Sequence, residues 1–137
     1  HFIVLDNLQD PGNLGTIVRT AEGAGVTAVF MSNDCVDIYN PKTIRSTMGS
    51  IYRVPFVYVD DLLALLDKFQ KKKVTTYAAH LKGKNTYDKE NYQSGTAILI
   101  AEKADVWVQI PMQGKVESLN AAIAASILMF EVYRQRR

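Results

Sequence analysis

The sequence predicts an α/β domain built on a mostly parallel sheet with helices on both faces. Three observations carry this reading. Short apolar runs bounded by turn residues recur along the chain, as buried strands do. Stretches with apolar residues at helical spacing lie between them. Strands that alternate with helices pair in parallel, because each helix returns the chain to the same end of the sheet. The 137 residues are the length of one domain.

Each element has its own signal. His1 to Leu5 is apolar and leads into the polar turn Asp6–Gly12, which reads as a buried strand and its exit. Gly12 or Asn13 caps a helix to about Gly23, with Leu14, Ile17, Val18 and Ala21 at helical spacing and Gly25 as its stop. Val26 to Met31 is a second buried strand. Asn40-Pro41-Lys42 opens a short helix with Pro41 at its first position. Tyr52 to Val59 is β-rich, and Pro55 confines it to an edge or irregular strand. Asp60 caps a helix to about Phe69, with Leu62, Leu63, Leu65 and Leu66 on its apolar side. Lys71-Lys72-Lys73 suits the negative end of that helix and reads as a solvated terminus rather than an RNA contact. Val74–Ala79, Ala97–Ile100 and Val106–Ile110 are further strands, and Glu117 to Arg134 is a long closing helix. No internal repeat is visible.

Composition narrows the function classes. Hydrophobic residues make up 47% and charged residues 22%, which suits a packed domain and excludes a disordered or fibrous chain. A single cysteine, Cys35, excludes a disulfide scaffold. Two histidines, one of them His1, leave no metal-ligand cluster, so no metal is expected. A formal charge of +2 is compatible with RNA without arguing for it. No apolar run reaches membrane length, so no membrane partner is expected and the cytoplasm is the default compartment.

Three segments carry chemistry. The first, Asn7 to Ala21, is a strand exit, a Gly-containing turn and a helix N-terminus, a geometry that offers backbone amides to an anion. Its spacing matches neither a dinucleotide fingerprint nor a P-loop. Arg19 falls in the second turn of the predicted helix; it is either an ordinary surface arginine or a ligand-directed one in the company of Asn13 and Gly15. The second segment, Asn40 to Pro55, spreads Lys42, Arg45 and Arg53 around Gly49, either as surface charge or as a phosphate-contacting patch. The third, Ile110 to Ala124, is a strand end and loop that run into a helix. Ser118 and Asn120 there read as local caps or as site residues. Ala121, Ala122, Ala124 and Ala125 allow close packing, against the sheet, a second subunit or a threaded chain.

Together these segments resemble the SpoU-type (TrmH-like) 2′-O-ribose RNA methyltransferases of the SPOUT superfamily, from Val4 to Arg136. Asn13 and Arg19 take the Asn and Arg positions of that family's first motif. Ile110-Pro111-Met112 followed by Glu117-Ser118-Leu119-Asn120 looks like its third, and Phe130-Glu131 with Arg134-Gln135 fits its ending. The resemblance implies an α/β knot, with a parallel sheet flanked by helices and a C-terminal trefoil knot. It also implies a homodimer that binds S-adenosylmethionine and methylates a ribose of rRNA or tRNA. By position, Ile110, Leu119, Met112 and Ala79 would meet the cofactor, and Arg19, Asn13, Ser118 and Asn120 would work at the acceptor ribose. The family casts Arg19 as a base. A guanidinium is effectively never neutral, so clamping a substrate phosphate is the role expected of it.

The family's second motif, Gly-Asn-Glu-Gly-X-Gly, has no counterpart. Ile100 is followed directly by Ala101-Glu102-Lys103-Ala104-Asp105. Two parallel strands are expected to need a crossover of a dozen or more residues. The expectation is therefore a single catalytic domain over 1–137, with a further segment of the protein between 100 and 101 and an N-terminal RNA-binding domain absent from this chain. If the junction is as it stands, the alternative is a non-catalytic RNA-binding module on the same fold. An oxidoreductase is much weaker, for want of the Gly-X-Gly-X-X-Gly turn.

Overall fold

Phe2–Leu5 (β1) has a parallel neighbour on each side, which is why its side chains are apolar without alternation. Ile3 and Leu5 enter one core, and Phe2 and Val4 the other. The computed structural model describes residues 1–101, 103–115 and 119–137. Six further strands join β1: β2 (Ala28–Ser32), β3 (Phe56–Val59), β4 (Thr75–Ala79), β5 (Asn85–Thr86), β6 (Thr96–Ile100) and β7 (Val106–Gln109). They form one sheet in the order β3-β2-β1-β6-β4-β7-β5, and every pairing is parallel. β3 is an edge strand, as Pro55 required; the Pro55 carbonyl accepts a hydrogen bond from the Val29 N–H. The two-residue β5 carries no periodic signal and is not among the predicted strands.

Helices α1 (Pro11–Gly23) and α4 (Ala121–Arg136) belong to the larger core and α3 (Leu62–Lys71) to the smaller, while α2 (Pro41–Thr47) packs against α1 with Thr43 and Thr47 buried. Phe2, Phe30 and Phe69 hold the smaller core, with Phe2 and Phe69 stacked at 5.5 Å. The helix starts differ from expectation. Asp10, not Gly12 or Asn13, caps α1, its carboxylate accepting the Asn13 N–H at 3.1 Å with Pro11 at the first position. Asp61, not Asp60, caps α3 by accepting the Ala64 N–H. α4 starts at Ala121, capped by Asn120. Glu117 and Ser118, which the predicted helix included, lie outside the described residues.

The end of α4 is tied down by hydrogen bonds. The Arg136 Nε–H donates to the Tyr92 carbonyl at 2.8 Å, and Gln135 bridges the Tyr92 N–H and the Glu90 carbonyl. Arg134 pairs with the buried Glu131. The bonds of Gln135 and Arg136 stitch the end of α4 to the loop before β6. Among the described residues no helix is long and apolar enough to cross a membrane.

The passage from β6 to β7 positions the site. β4 lies between the two strands, yet only residues 101–105 connect them. Ile98 and Val106 both stand opposite Tyr77, so β7 begins level with the middle of β6. Two strand spacings are roughly 10 Å, which five residues at about 3.3–3.6 Å each can span. A dozen residues is the length of a helical return; the short loop here lays Ala101 and Ala104 on the smaller core instead. Asp105 fixes its end. The Thr76 N–H donates to Asp105 Oδ2 at 3.0 Å, and the Asp105 N–H donates to Thr76 Oγ1 at 2.8 Å.

Candidate functional site

In a parallel sheet all strands point their carboxyl ends the same way, and ligands bind outside those ends. Here the ends of β4, β6 and β7 surround a cavity of about 460 Å³. Ala79, His80 and Leu81 line it from β4, Leu99, Ile100 and Ala101 from β6, and Gln109, Ile110 and Met112 from β7. Leu119, Ala121 and Ala124 close it from the start of α4. The four alanines of that helix divide their work. Ala122 and Ala125 are buried in the larger core, while Ala121 and Ala124 leave room for the cavity.

Ala79, Ile110, Met112 and Leu119, expected at the cofactor, thus line one cavity. His80 and Gln109, polar residues among the described lining, carry no motif in the sequence. Strand ends far apart in sequence meet only through the order β6-β4-β7, for which no local pattern exists.

A second feature lies beside α4. Asn120 Oδ1 accepts the Ala122 and Ile123 N–H groups at 2.8 and 3.3 Å, and its amide donates to Asn13 Oδ1 at 3.2 Å. One side chain therefore caps α4 and ties it to the first turn of α1, 107 residues away in sequence. Two helix N-termini converge there, each carrying partial positive charge.

Arg19 is exposed and sits in the third turn of α1, not the second. Six residues place it roughly 9 Å along the axis from Asn13 and about 120° around it. It shares the face of Gly12 and Thr16, so the structure does not bring it into the Asn13–Asn120 pair. Ser118 lies outside the described residues. Gly15, read beside Asn13 and Arg19 as part of the chemistry, is a packing residue. A Cβ built on it would stand 2.2 Å from Ser46 Cβ and 2.7 Å from the Thr43 carbonyl oxygen of α2. Arg53 is structural charge. It forms a two-pronged pair with Glu22, which also accepts from Ser50 Oγ at 2.9 Å. Those bonds, that from Arg53 first, hold the Glu22 carboxyl below its usual range. Lys42 and Arg45 are exposed.

Comparison with known proteins decides the family. A model of the SpoU rRNA methylase family matches residues 1–130. The chain belongs to that family. Among SpoU-family relatives, the 23S rRNA (guanosine-2′-O-)-methyltransferase RlmB of Xylella fastidiosa is 37% identical over 146 positions, covering 98% of this chain and 59% of that protein. The 23S rRNA (guanosine(2553)-2′-O)-methyltransferase RlmP of Bacillus subtilis is 34% identical over 141 positions, covering 95% and 56%. The crystal structure of an AdoMet-bound rRNA methyltransferase from Sinorhizobium meliloti superposes with a TM-score of 0.85 at 33% identity, covering 97% of this chain and 55% of that one. The chain thus spans between about half and three-fifths of the length of the relatives it matches. Both sequence alignments are longer than the 137 residues of this SpoU-family chain, so the relatives carry positions within the matched span that it lacks.

Proposed function

We propose that this chain binds S-adenosylmethionine in the cavity at the ends of β4, β6 and β7 and transfers its methyl group to a ribose 2′-hydroxyl of rRNA or tRNA. The observation that carries this is the cavity itself, a pocket of about 460 Å³ at the carboxyl ends of parallel strands. Its apolar walls and few polar groups suit a nucleoside, and its size falls in the range of roughly 300–1,000 Å³ usual for such ligands. Ala79, Ile110, Met112 and Leu119 would hold the cofactor, which supplies a methyl group already activated on a sulfonium.

The chain's own residues must then position the acceptor. Orientation alone lowers such barriers by up to about 7–11 kcal/mol. Asn13 and Asn120, tied to each other at two helix N-termini, present amides at the acceptor ribose. Arg19, with its guanidinium fork, clamps a substrate phosphate rather than taking the proton. Ser118 belongs to the same group by its place in the motif. RNA as substrate places the work in the cytoplasm.

The proposal extends to assembly and topology. Ile123 and Phe130 stand 52% and 45% exposed on α4, with Ile127 between them at helical spacing. That apolar stripe is read as the seam of a homodimer. Sedimentation velocity is expected to give a dimer, and Phe130→Asp a monomer; a wild-type monomer at tens of micromolar would remove the seam. The trefoil knot is part of the reading too, and rests on the family to which the chain belongs. So is the assignment of residues 1–137 to one catalytic domain.

One observation favours a second reading. Ile100 passes to β7 through residues 101–105, where the family pattern has its second motif. A chain without that motif could be an RNA-binding module without catalysis. Titration with S-adenosylhomocysteine separates the two. Saturable binding at one site per chain supports the enzyme, and RNA binding without it supports the module.

A further inference from the structure

The loop leaving β4 lies against β7. Gly83 lets it lie against β7: a Cβ there would come within 2.6 Å of the Val108 carbonyl carbon and 2.7 Å of the Gln109 nitrogen. The His80 N–H donates to the Val108 carbonyl at 2.9 Å, and the Gln109 side-chain amide reaches the Leu81 carbonyl at 3.3 Å. These contacts fix His80, whose imidazole stacks on Trp107 with centroids 3.9 Å apart and planes 9° from parallel. Its Nδ1 accepts the Lys82 N–H at 3.0 Å. A neutral imidazole with one nitrogen accepting carries its proton on the other. Nε2–H is therefore a donor on a ring whose orientation is already set, on a residue that lines an otherwise mostly apolar cavity.

We infer that His80 is a cofactor-binding residue: its Nε2–H donates to a nitrogen or hydroxyl oxygen of the nucleoside bound in the cavity, and Trp107 is the positioning residue that holds the ring for it. A donor pre-oriented by stacking and by a backbone bond loses little freedom on binding, which is where such a contact gains its affinity. The inference rests on the cavity being the S-adenosylmethionine site and adds to that reading the residue that recognises the nucleoside.

Calorimetric titration with S-adenosylhomocysteine tests it with two variants. His80→Phe keeps the stack on Trp107 and loses the donor. His80→Gln loses the stack and keeps an amide donor at similar reach. Loss of one net hydrogen bond weakens binding about tenfold, so His80→Phe is expected to bind about tenfold more weakly. His80→Gln, which keeps a donor without the stack that orients it, is expected to fall between wild type and His80→Phe. A packing role alone predicts the reverse order. His80→Phe binding as tightly as wild type, or better than His80→Gln, overturns the inference.

A second measurement needs no variant. The chain has two histidines, so the His80 imidazole is readily assigned by nitrogen-15 NMR. Its Nε2–H signal is expected to shift and gain protection from solvent exchange at saturating S-adenosylhomocysteine; unchanged signals overturn the inference. Wild type that fails to bind at all overturns the cavity reading and this inference together. Wild-type binding with unperturbed His80 signals overturns the inference alone.

Discussion

Arg19→Ala is expected to lower methyl transfer on the order of 100-fold or more, the scale of losing a group that positions or stabilises reacting charge. Binding of S-adenosylhomocysteine should stay within about twofold of wild type, because Arg19 is not among the residues that line the cavity. The expectation follows from its placement. Arg19 is exposed on α1, about 120° around the helix from Asn13. Single-turnover transfer under saturating RNA is the measurement. Arg19→Lys should recover only part of the rate, since an ammonium lacks the planar fork that grips phosphate oxygens. Near-normal single-turnover transfer by Arg19→Ala would remove Arg19 from the mechanism.

Gly15→Ala carries the largest expected effect on stability. The added methyl would stand 2.2 Å from Ser46 Cβ and 2.7 Å from the Thr43 carbonyl oxygen, and neither atom is the far end of a flexible side chain. Helices α1 and α2 must separate to admit it. Overpacking costs about 1–3 kcal/mol, and the helix propensity gained over glycine returns about 1. A net loss of up to about 2 kcal/mol in urea unfolding, with an unchanged slope, is the expected result. Gly23→Ala is the control. The nearest atom to its new methyl is Phe130 Cζ at 3.6 Å, an ordinary contact, so that variant should be neutral or slightly stabilised. Equal stability of the two variants would show that α2 yields freely.

These two glycines show what a sequence can and cannot say. Both lie in one helix, and no local pattern tells which of them faces a neighbour at contact distance. Gly15 was grouped with Asn13 and Arg19 because all three lie near the start of α1; the structure gives it to α2 instead. The strands were readable because burial on both faces leaves continuous apolar runs, as in Ile3-Val4-Leu5 and Ala97-Ile98-Leu99. β5 was not, because two residues hold no period. Adjacent aspartates hid the cap of α3, where only the helix register distinguishes Asp60 from Asp61. The Asp10–Pro11 pair, by contrast, was a usable signal for the start of α1.

The same contrast runs through the site. The motif order pointed to Ala79, Ile110, Met112 and Leu119, and the sheet order brings them to one cavity. His80 and Gln109 had no motif to mark them. Their significance depends on β7 lying beside β4, a pairing between strands distant in sequence. Asn120 was read as a cap or as a site residue. It is the cap of α4, and the same side chain holds Asn13, so the structural role supplies the geometry that the proposed chemical role needs.

The central claim is transfer of a methyl group to a ribose oxygen. The direct test is to incubate the protein with methyl-labelled S-adenosylmethionine and unmodified rRNA or tRNA, digest the RNA to nucleosides, and locate the label by mass spectrometry. The account predicts a single 2′-O-methylated nucleoside, formed by wild type and strongly reduced by Arg19→Ala. RNA that binds but gains no label, or label on a base instead of a ribose, would contradict it.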